Sequence, residues 1–120
     1  MKLGDLQRLF SKLIAEHTLW LYHQGWECTE GDAYRDPRSH GKIGEKLIGT
    51  DGKTVYGRKN SNHKRRLAKD INLFKDGKFL TRTVDHKISG QKWESRHPLC
   101  RWGGRYDDGN HYSMEYKGHQ

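Results

Sequence analysis

Apolar residues return at helical spacing at the start of the chain. Leu3, Leu6, Phe10, Leu13, Ile14, His17 and Leu21 form one stripe, and Gln7, Arg8, Lys12 and Glu16 fall between them. The pattern predicts a helix over residues 5–24, capped by Asp5 and stopped at Gly25. It reads as a packing helix without chemistry, and His17, on the apolar stripe, reads as a core histidine. A short strand follows over 26–34 and closes at Arg35-Asp36-Pro37. Residues 36–60 are rich in Gly, Lys, Asp and Ser with weak periodicity, which predicts a long loop. Residues 67–74 alternate, with Leu67, Lys69, Ile71 and Leu73 on one face and Ala68, Asp70, Asn72 and Phe74 on the other. Lys75-Asp76-Gly77-Lys78 reads as a hairpin turn, with a return strand over 79–84. Asp85 is placed to cap a short helix through about residue 96, ended by His97-Pro98. Residues 111–116 alternate again, His111, Ser113 and Glu115 against Tyr112, Met114 and Tyr116. The expected class is α+β, a small antiparallel sheet with helices packed on one side.

Composition changes this picture in one respect. The 120 residues carry 23 Lys and Arg against 15 Asp and Glu, a net charge of +8, and only 32% are hydrophobic. Such values approach those of disordered chains. Against that stand 4 Trp, 6 Tyr and 3 Phe spread along the chain, with 2 Pro. The expectation is therefore one domain over residues 1–120 with a thin core, a kind of domain that often needs a staple such as a metal. No stretch approaches a membrane span, and the charged start MKLGDLQRLFSK is not read as a signal peptide. Cys28 and Cys100 are far apart in sequence, and the spacing leaves their pairing open.

Metal chemistry is the first candidate for such a staple. His63 lies seven positions before Asp70 on the polar face of the predicted strand, and Asp108-Gly109-Asn110-His111 supplies a second imidazole and carboxylate. Two His and one carboxylate form a recurrent zinc set with a position left for water. A further carboxylate near that water serves as general base. Spacing alone favours solvated surface residues, because eight histidines in a basic chain generate such pairs by chance.

A wider pattern shifts that balance. SNHKRRLAKDINLFKDGKFL resembles the S-x-H-x-x-G-x-A-x-D segment of the vancomycin-resistance-type zinc D-Ala-D-Ala and L,D-carboxypeptidase family, which includes phage L-alanyl-D-glutamate endolysins. The match uses Ser61, His63, Ala68 and Asp70. RWGGRYDDGNHY is similar to the family's W-G-G … D-x-x-H-(aromatic) ending, and GWECTEGDAYR to its G-Y … A-Y-R. The three motifs run in order from about residue 10 to residue 116. The chain departs from the pattern at Arg66, where the family has Gly, so the turn between His63 and Leu67 is expected to differ.

The resemblance implies a hedgehog/DD-peptidase-like fold with a zinc site on the sheet. It implies His63, Asp70 and His111 as zinc ligands and Asp108 as general base, with Asp107 as the neighbouring rival. It implies Arg35 as an oxyanion cation, against an ion pair with Asp32 or Asp36, and Ser61 and Trp102 as substrate-binding residues. His17, His23, His40, His86, His97 and His119 receive no role.

The function implied is a zinc peptidase cutting the stem peptide of bacterial peptidoglycan, most like an L-alanyl-D-glutamate endopeptidase of a phage endolysin. Such an enzyme is expected to be a monomer without a separate wall-binding domain or membrane insertion. It would wait in the host cytoplasm and reach the wall with the help of a phage holin. A D,D- or L,D-carboxypeptidase would use the same ligands but need a cation for the terminal carboxylate. A nucleic-acid binder is the alternative of another class, drawn from Arg58-Lys59 and Lys64-Arg65-Arg66.

Overall fold

The structure, a computed structural model, describes residues 1–31, 63 and 65–120. The predicted loop over 36–60, and Arg35 and Ser61, lie outside the described residues.

Helix α1 (Leu3–His23) buries Leu6, Phe10, Leu13, Ile14, His17 and Leu21, the stripe its periodicity picks out. Its N-cap is Lys2 and not Asp5, which lies in the first turn. There the carboxylate pairs with Arg8 and faces the positive end of the helix dipole. Gly25 does end the helix. At φ +93° it turns the chain so that the Gly25 N–H reaches the Tyr22 carbonyl and the Trp26 N–H the Leu21 carbonyl.

The strands are β1 (Glu27–Glu30), β2 (Ala68–Lys75), β3 (Lys78–Leu80), β4 (Cys100–Trp102) and β5 (His111–Met114). All their pairings are antiparallel, in the order β1-β2-β5-β4, with β3 also on β2. Since β1 takes one edge of β2, β5 and β3 share the other. β5 pairs residues 68–70 and β3 pairs residues 73–75. The β2–β3 turn puts Asp76 at φ +54° and Gly77 at φ +78°, as the Asp-Gly pair predicts.

The return strand is shorter than predicted. After Leu80 the chain enters a 3₁₀ turn (Thr83–His86) and then helix α2 (Lys87–Ser95). Asp85 consequently caps this turn, accepting the Arg82 N–H, and does not start α2.

Both helices pack on one face of the sheet. Tyr112 of β5 lies against the His17 ring of α1 at 5.5 Å and the Trp93 ring of α2 at 6.2 Å, and Phe10 meets Trp93 edge-on. Ile71, Leu73, Trp93, Cys100, Tyr112 and Met114 close the core with α1. Ser113 shares the face of His111, as alternation predicts, since it stands opposite Ala68 as His111 does Asp70, and it is fully buried there. Cys28 and Cys100 are free thiols on the two outer strands of that order. Three strand spacings of about 4.8 Å put them beyond the ~7 Å limit for a disulfide. Burial pushes the Cys100 thiol up to about 12. Among the described residues, no helix is long and apolar enough to cross a membrane.

His17 is the core histidine its position implies, fully buried and stacked on Trp20. Burial, with Arg96 and Lys92 nearby, lowers its pKa to about 3, and burial lowers His86 to about 4 against the pull of Asp85. Unfolded, both imidazoles take a proton near pH 6.5. The unfolded chain therefore binds more protons below that pH. Their contribution to stability is complete above pH ~6.5 and is lost as pH falls toward 4 and then 3. Thermal unfolding followed from pH 7 to pH 4 should show a steadily falling midpoint, with a shallower slope in His17→Gln. A flat wild-type profile would contradict the neutral core histidines.

Candidate metal centre

The site begins with a register. Asp70 of β2 stands directly opposite His111 of β5. Opposed residues on antiparallel strands share a face with Cβ atoms about 5 Å apart, so this pairing brings together groups 41 positions apart in sequence. The Asp70 backbone is fixed by the Gly31 N–H on its carbonyl and, one residue on, by the Ile71 N–H on the Asn110 carbonyl.

His63 joins from the turn that leads into β2. The Arg66 N–H closes this turn on the His63 carbonyl, and Arg66 takes φ +58°. Arg66 adopts the left-handed conformation that Gly provides without a Cβ penalty. That conformation costs a non-glycine residue about 1–2 kcal/mol, part of which the higher chain entropy of unfolded Gly offsets. Arg66→Gly is expected to raise stability by about 0.5–1 kcal/mol, read from the midpoint of urea unfolding; a lower midpoint would count against a strained turn.

Three side chains meet at one point. His63 Nε2 lies 3.4 Å and His111 Nδ1 3.5 Å from Asp70 Oδ1. One donor atom from each of the three falls within 4.8 Å of the others. The two imidazoles stand edge to face at 5.1 Å between centroids. The donors fit a small divalent ion: bonds of about 2.1 Å at tetrahedral angles place neighbouring ligand atoms about 3.4 Å apart. Side-chain exposures of 31% for His63, 21% for Asp70 and 17% for His111 leave the cluster reachable from solvent. Burial by itself would raise the Asp70 carboxyl. Hydrogen bonds and charge from His111 and His63 outweigh it and hold the group well below the usual carboxylate range. A carboxylate kept ionised beside two imidazoles is a set of three that could hold a metal ion.

The turn before His111 positions the next carboxylate. A second 3₁₀ turn (Gly103–Tyr106) ends at Asp107, which takes φ +56°. The Asp108 N–H then bonds the Gly103 carbonyl, and the Asp108 carbonyl accepts the His111 N–H. Asp108 is therefore tied through its N–H to the 3₁₀ turn and through its carbonyl to the strand that carries His111. Gly103 is required here, since a Cβ would come within 2.4 Å of the Asp108 carbonyl oxygen.

Trp102, expected to bind substrate, is half-buried and locks this same turn. Its Nε1 donates to the Gly109 carbonyl at 2.6 Å, and its ring covers Gly90 and Gly104, where Cβ atoms would stand 2.0 and 2.4 Å from ring carbons. The W-G-G sequence thus has a local reason: a flat indole lies against bare backbone and a third segment folds over it.

A cleft of about 280 Å³ is lined by Asn72, two residues past Asp70, and by Asn110, next to His111. It occupies the gap between β3 and β5 along the edge of β2. Asn72, Asn110, Thr83, His86, Asp107 and Asp108 are among its lining residues. Asn110 Nδ2 donates to Asn72 Oδ1. Sequence reading gave Asn72, Asn110 and His86 no role. Asn110 is next to the predicted ligand His111 and Asn72 lies two positions past Asp70 on the same strand face, which is a usable signal. His86 carried none, because only folding brings it here. Comparison with protein families, with curated proteins and with solved structures finds no match to this chain.

Proposed function

We propose that the chain is a zinc-dependent peptidase that hydrolyses the stem peptide of bacterial peptidoglycan at the L-Ala–D-Glu bond, in the manner of a phage endolysin. The observation that carries this reading is the convergence of His63, Asp70 and His111, with Asp108 held one backbone turn from His111. Two imidazoles and one carboxylate are a catalytic zinc set. Zinc bound there supplies Lewis acidity to the scissile carbonyl and lowers the pKa of water.

The chain's own residues account for the rest. Asp70 neutralises one charge of the metal and orients both imidazoles. Asp108 takes the proton from the attacking water and delivers it to the departing amine nitrogen. Asp107 lines the same cleft but occupies the left-handed tip of the turn. The backbone bonds of Asp108 fix its distance from His111, which favours Asp108 as the base. The formal charge of +8 draws the protein to an anionic wall polymer and raises its association rate.

An internal bond is favoured over a terminal one. A carboxypeptidase needs a cation for the substrate carboxylate, and among the described residues the cation that lines the cleft, Arg82, is paired with Asp85. Arg35 and Ser61, outside the described residues, keep their proposed roles in oxyanion and substrate contacts. Digestion of purified sacculi tests the reading. New amino termini on D-Glu, identified by mass spectrometry, are expected; release of D-Ala alone would point to a carboxypeptidase, and no release would overturn both.

A further inference from the structure

A chain of buried hydrogen bonds crosses the core to the cleft, and its directions converge on Ser89. Arg96 Nε donates to His17 Nδ1 at 3.0 Å. The neutral His17 ring therefore carries its proton on Nε2, 2.9 Å from Ser89 Oγ. From the other side the Tyr112 hydroxyl donates to Ser89 Oγ at 2.8 Å. A phenol has one proton to give, and burial pushes the Tyr112 pKa up, so the group keeps it. The Tyr112 oxygen can then only accept from His86 Nδ1, which lies 2.8 Å away.

His86 thus carries its proton on Nδ1. Burial lowers its pKa to about 4, so at pH 7 the ring is neutral and Nε2 is a bare acceptor. His17, Ser89 and Tyr112 have no exposed surface, and His86 is 3% exposed. Among the described residues, Arg96 Nη2 and Ser113 Oγ are the side-chain polar atoms both sealed from solvent and unpaired. His86 Nε2 has no hydrogen bond to a described residue and is not sealed, so it keeps part of that small exposure. The cleft that His86 lines is where the atom opens.

We propose that His86 is a substrate-binding residue whose unprotonated Nε2 accepts an N–H of a neutral peptide segment lying in the cleft between β3 and β5. Tyr112 and Ser89 are positioning residues that set its tautomer. The assignment of the peptide as substrate rests on the functional reading above; the tautomer does not. A bare imidazole nitrogen recognises only a donor. A carboxylate has none, and Asp107 and Asp108 line the same cleft while Arg82 is paired with Asp85. An ammonium would lose its water against a neutral, 3% exposed ring, and Asp107 and Asp108 are exposed, where solvent screens them. A peptide N–H costs far less to desolvate. The carbonyl of the same peptide group also finds donors. Asn72 and Asn110 offer carboxamides, and Thr83 Oγ, which accepts the Gly109 N–H, has its own proton to give. Covering Nε2 with a group that cannot donate is costly, which makes the site selective against an alkylated peptide nitrogen.

Imidazole ¹⁵N NMR of the zinc-loaded wild type at pH 7 reads the tautomer directly. His86 is expected as Nδ1–H with a bare Nε2; Nε2–H at His86 overturns the proposal. Titration with N-acetyl-L-alanine methylamide should shift the His86 Nε2 resonance. N-acetyl-N-methyl-L-alanine dimethylamide keeps both carbonyls but has no N–H, and should bind about tenfold more weakly, which is 1.4 kcal/mol. Absence of a shift, equal binding of the two, or tighter binding of ethylammonium overturns it. On wall peptide, His86→Phe should raise KM about tenfold at unchanged zinc content and nearly unchanged kcat. His86→Gln, whose amide can donate to Tyr112 while its carbonyl oxygen accepts, should recover most of that loss. An unchanged KM in a folded His86→Phe overturns the proposal, and the wild-type NMR decides the question if that variant does not fold. A wild type with the Nδ1–H tautomer and diamide binding but no wall hydrolysis would sink the peptidase reading and leave this one standing.

Discussion

His63→Ala and His111→Ala are each expected to abolish zinc binding and the proposed peptidase activity together. Each imidazole supplies one of three protein donors that converge within 4.8 Å, and two donors cannot hold the ion in a tetrahedral site. Loss of even an outer-shell partner costs about 10–100-fold in metal affinity; loss of a direct ligand should cost at least about 100-fold. Metal content after dialysis checks the first half and sacculus digestion the second. Stability gives an independent readout. The cluster joins the turn before β2 to the start of β5, so bound zinc stabilises the fold it closes. Free zinc at 100 times Kd contributes about 2.7 kcal/mol. Zinc should raise the thermal midpoint of the wild type and leave that of His63→Ala unmoved. Equal shifts in both would show that the ion binds elsewhere.

Asp108→Asn is expected to keep the metal and lose the proposed reaction. The substitution preserves size and the backbone bonds that tie residue 108 to Gly103 and His111, but a carboxamide cannot accept the proton. General-base contributions of about 10²–10⁴-fold set the expected fall in kcat, with zinc content and thermal midpoint close to wild type. Asp107→Asn is the matched control and should retain most turnover, since Asp107 sits at the tip of the turn. Reversal of the two results would move the base to Asp107. Loss of metal in Asp108→Asn would instead place Asp108 among the ligands.

Much of the fold was legible because local rules sufficed. The stripe of α1 was readable from the 3.6-residue period, and the Gly25 stop and the Asp76-Gly77 hairpin from the backbone freedom those residues bring. Failures came where a neighbour in space overrode the local preference. Asp85 reads as a helix cap by sequence, yet the 3₁₀ turn ahead of α2 places it on the Arg82 N–H. Alternation placed Ser113 on the His111 face, where the register keeps it, but did not reveal that the residue is fully buried there.

At the site the division is similar. His63, Asp70, Asp108 and His111 were nameable from their motifs. The part of Trp102 in holding the turn over Gly90 and Gly104 was not, because Gly90 comes from a different helix. Arg66 shows a third case. Its left-handed conformation, at φ +58°, is one that its residue type does not favour, so no sign of it was present in the sequence.

The sequence by itself singled out His63, Asp70 and His111, which the fold brings together, and the apolar faces of the helix and strands, because residue type and period are local properties. Only the tertiary structure decided that Asp70 faces His111, since a strand register is set by the whole sheet and a slip of one residue would turn His111 to the opposite face. It alone also linked Arg96 to His86 through the core. Which ring nitrogen of a histidine carries the proton is decided by the partner it meets in space, and these five residues are scattered from position 17 to position 112 along the chain.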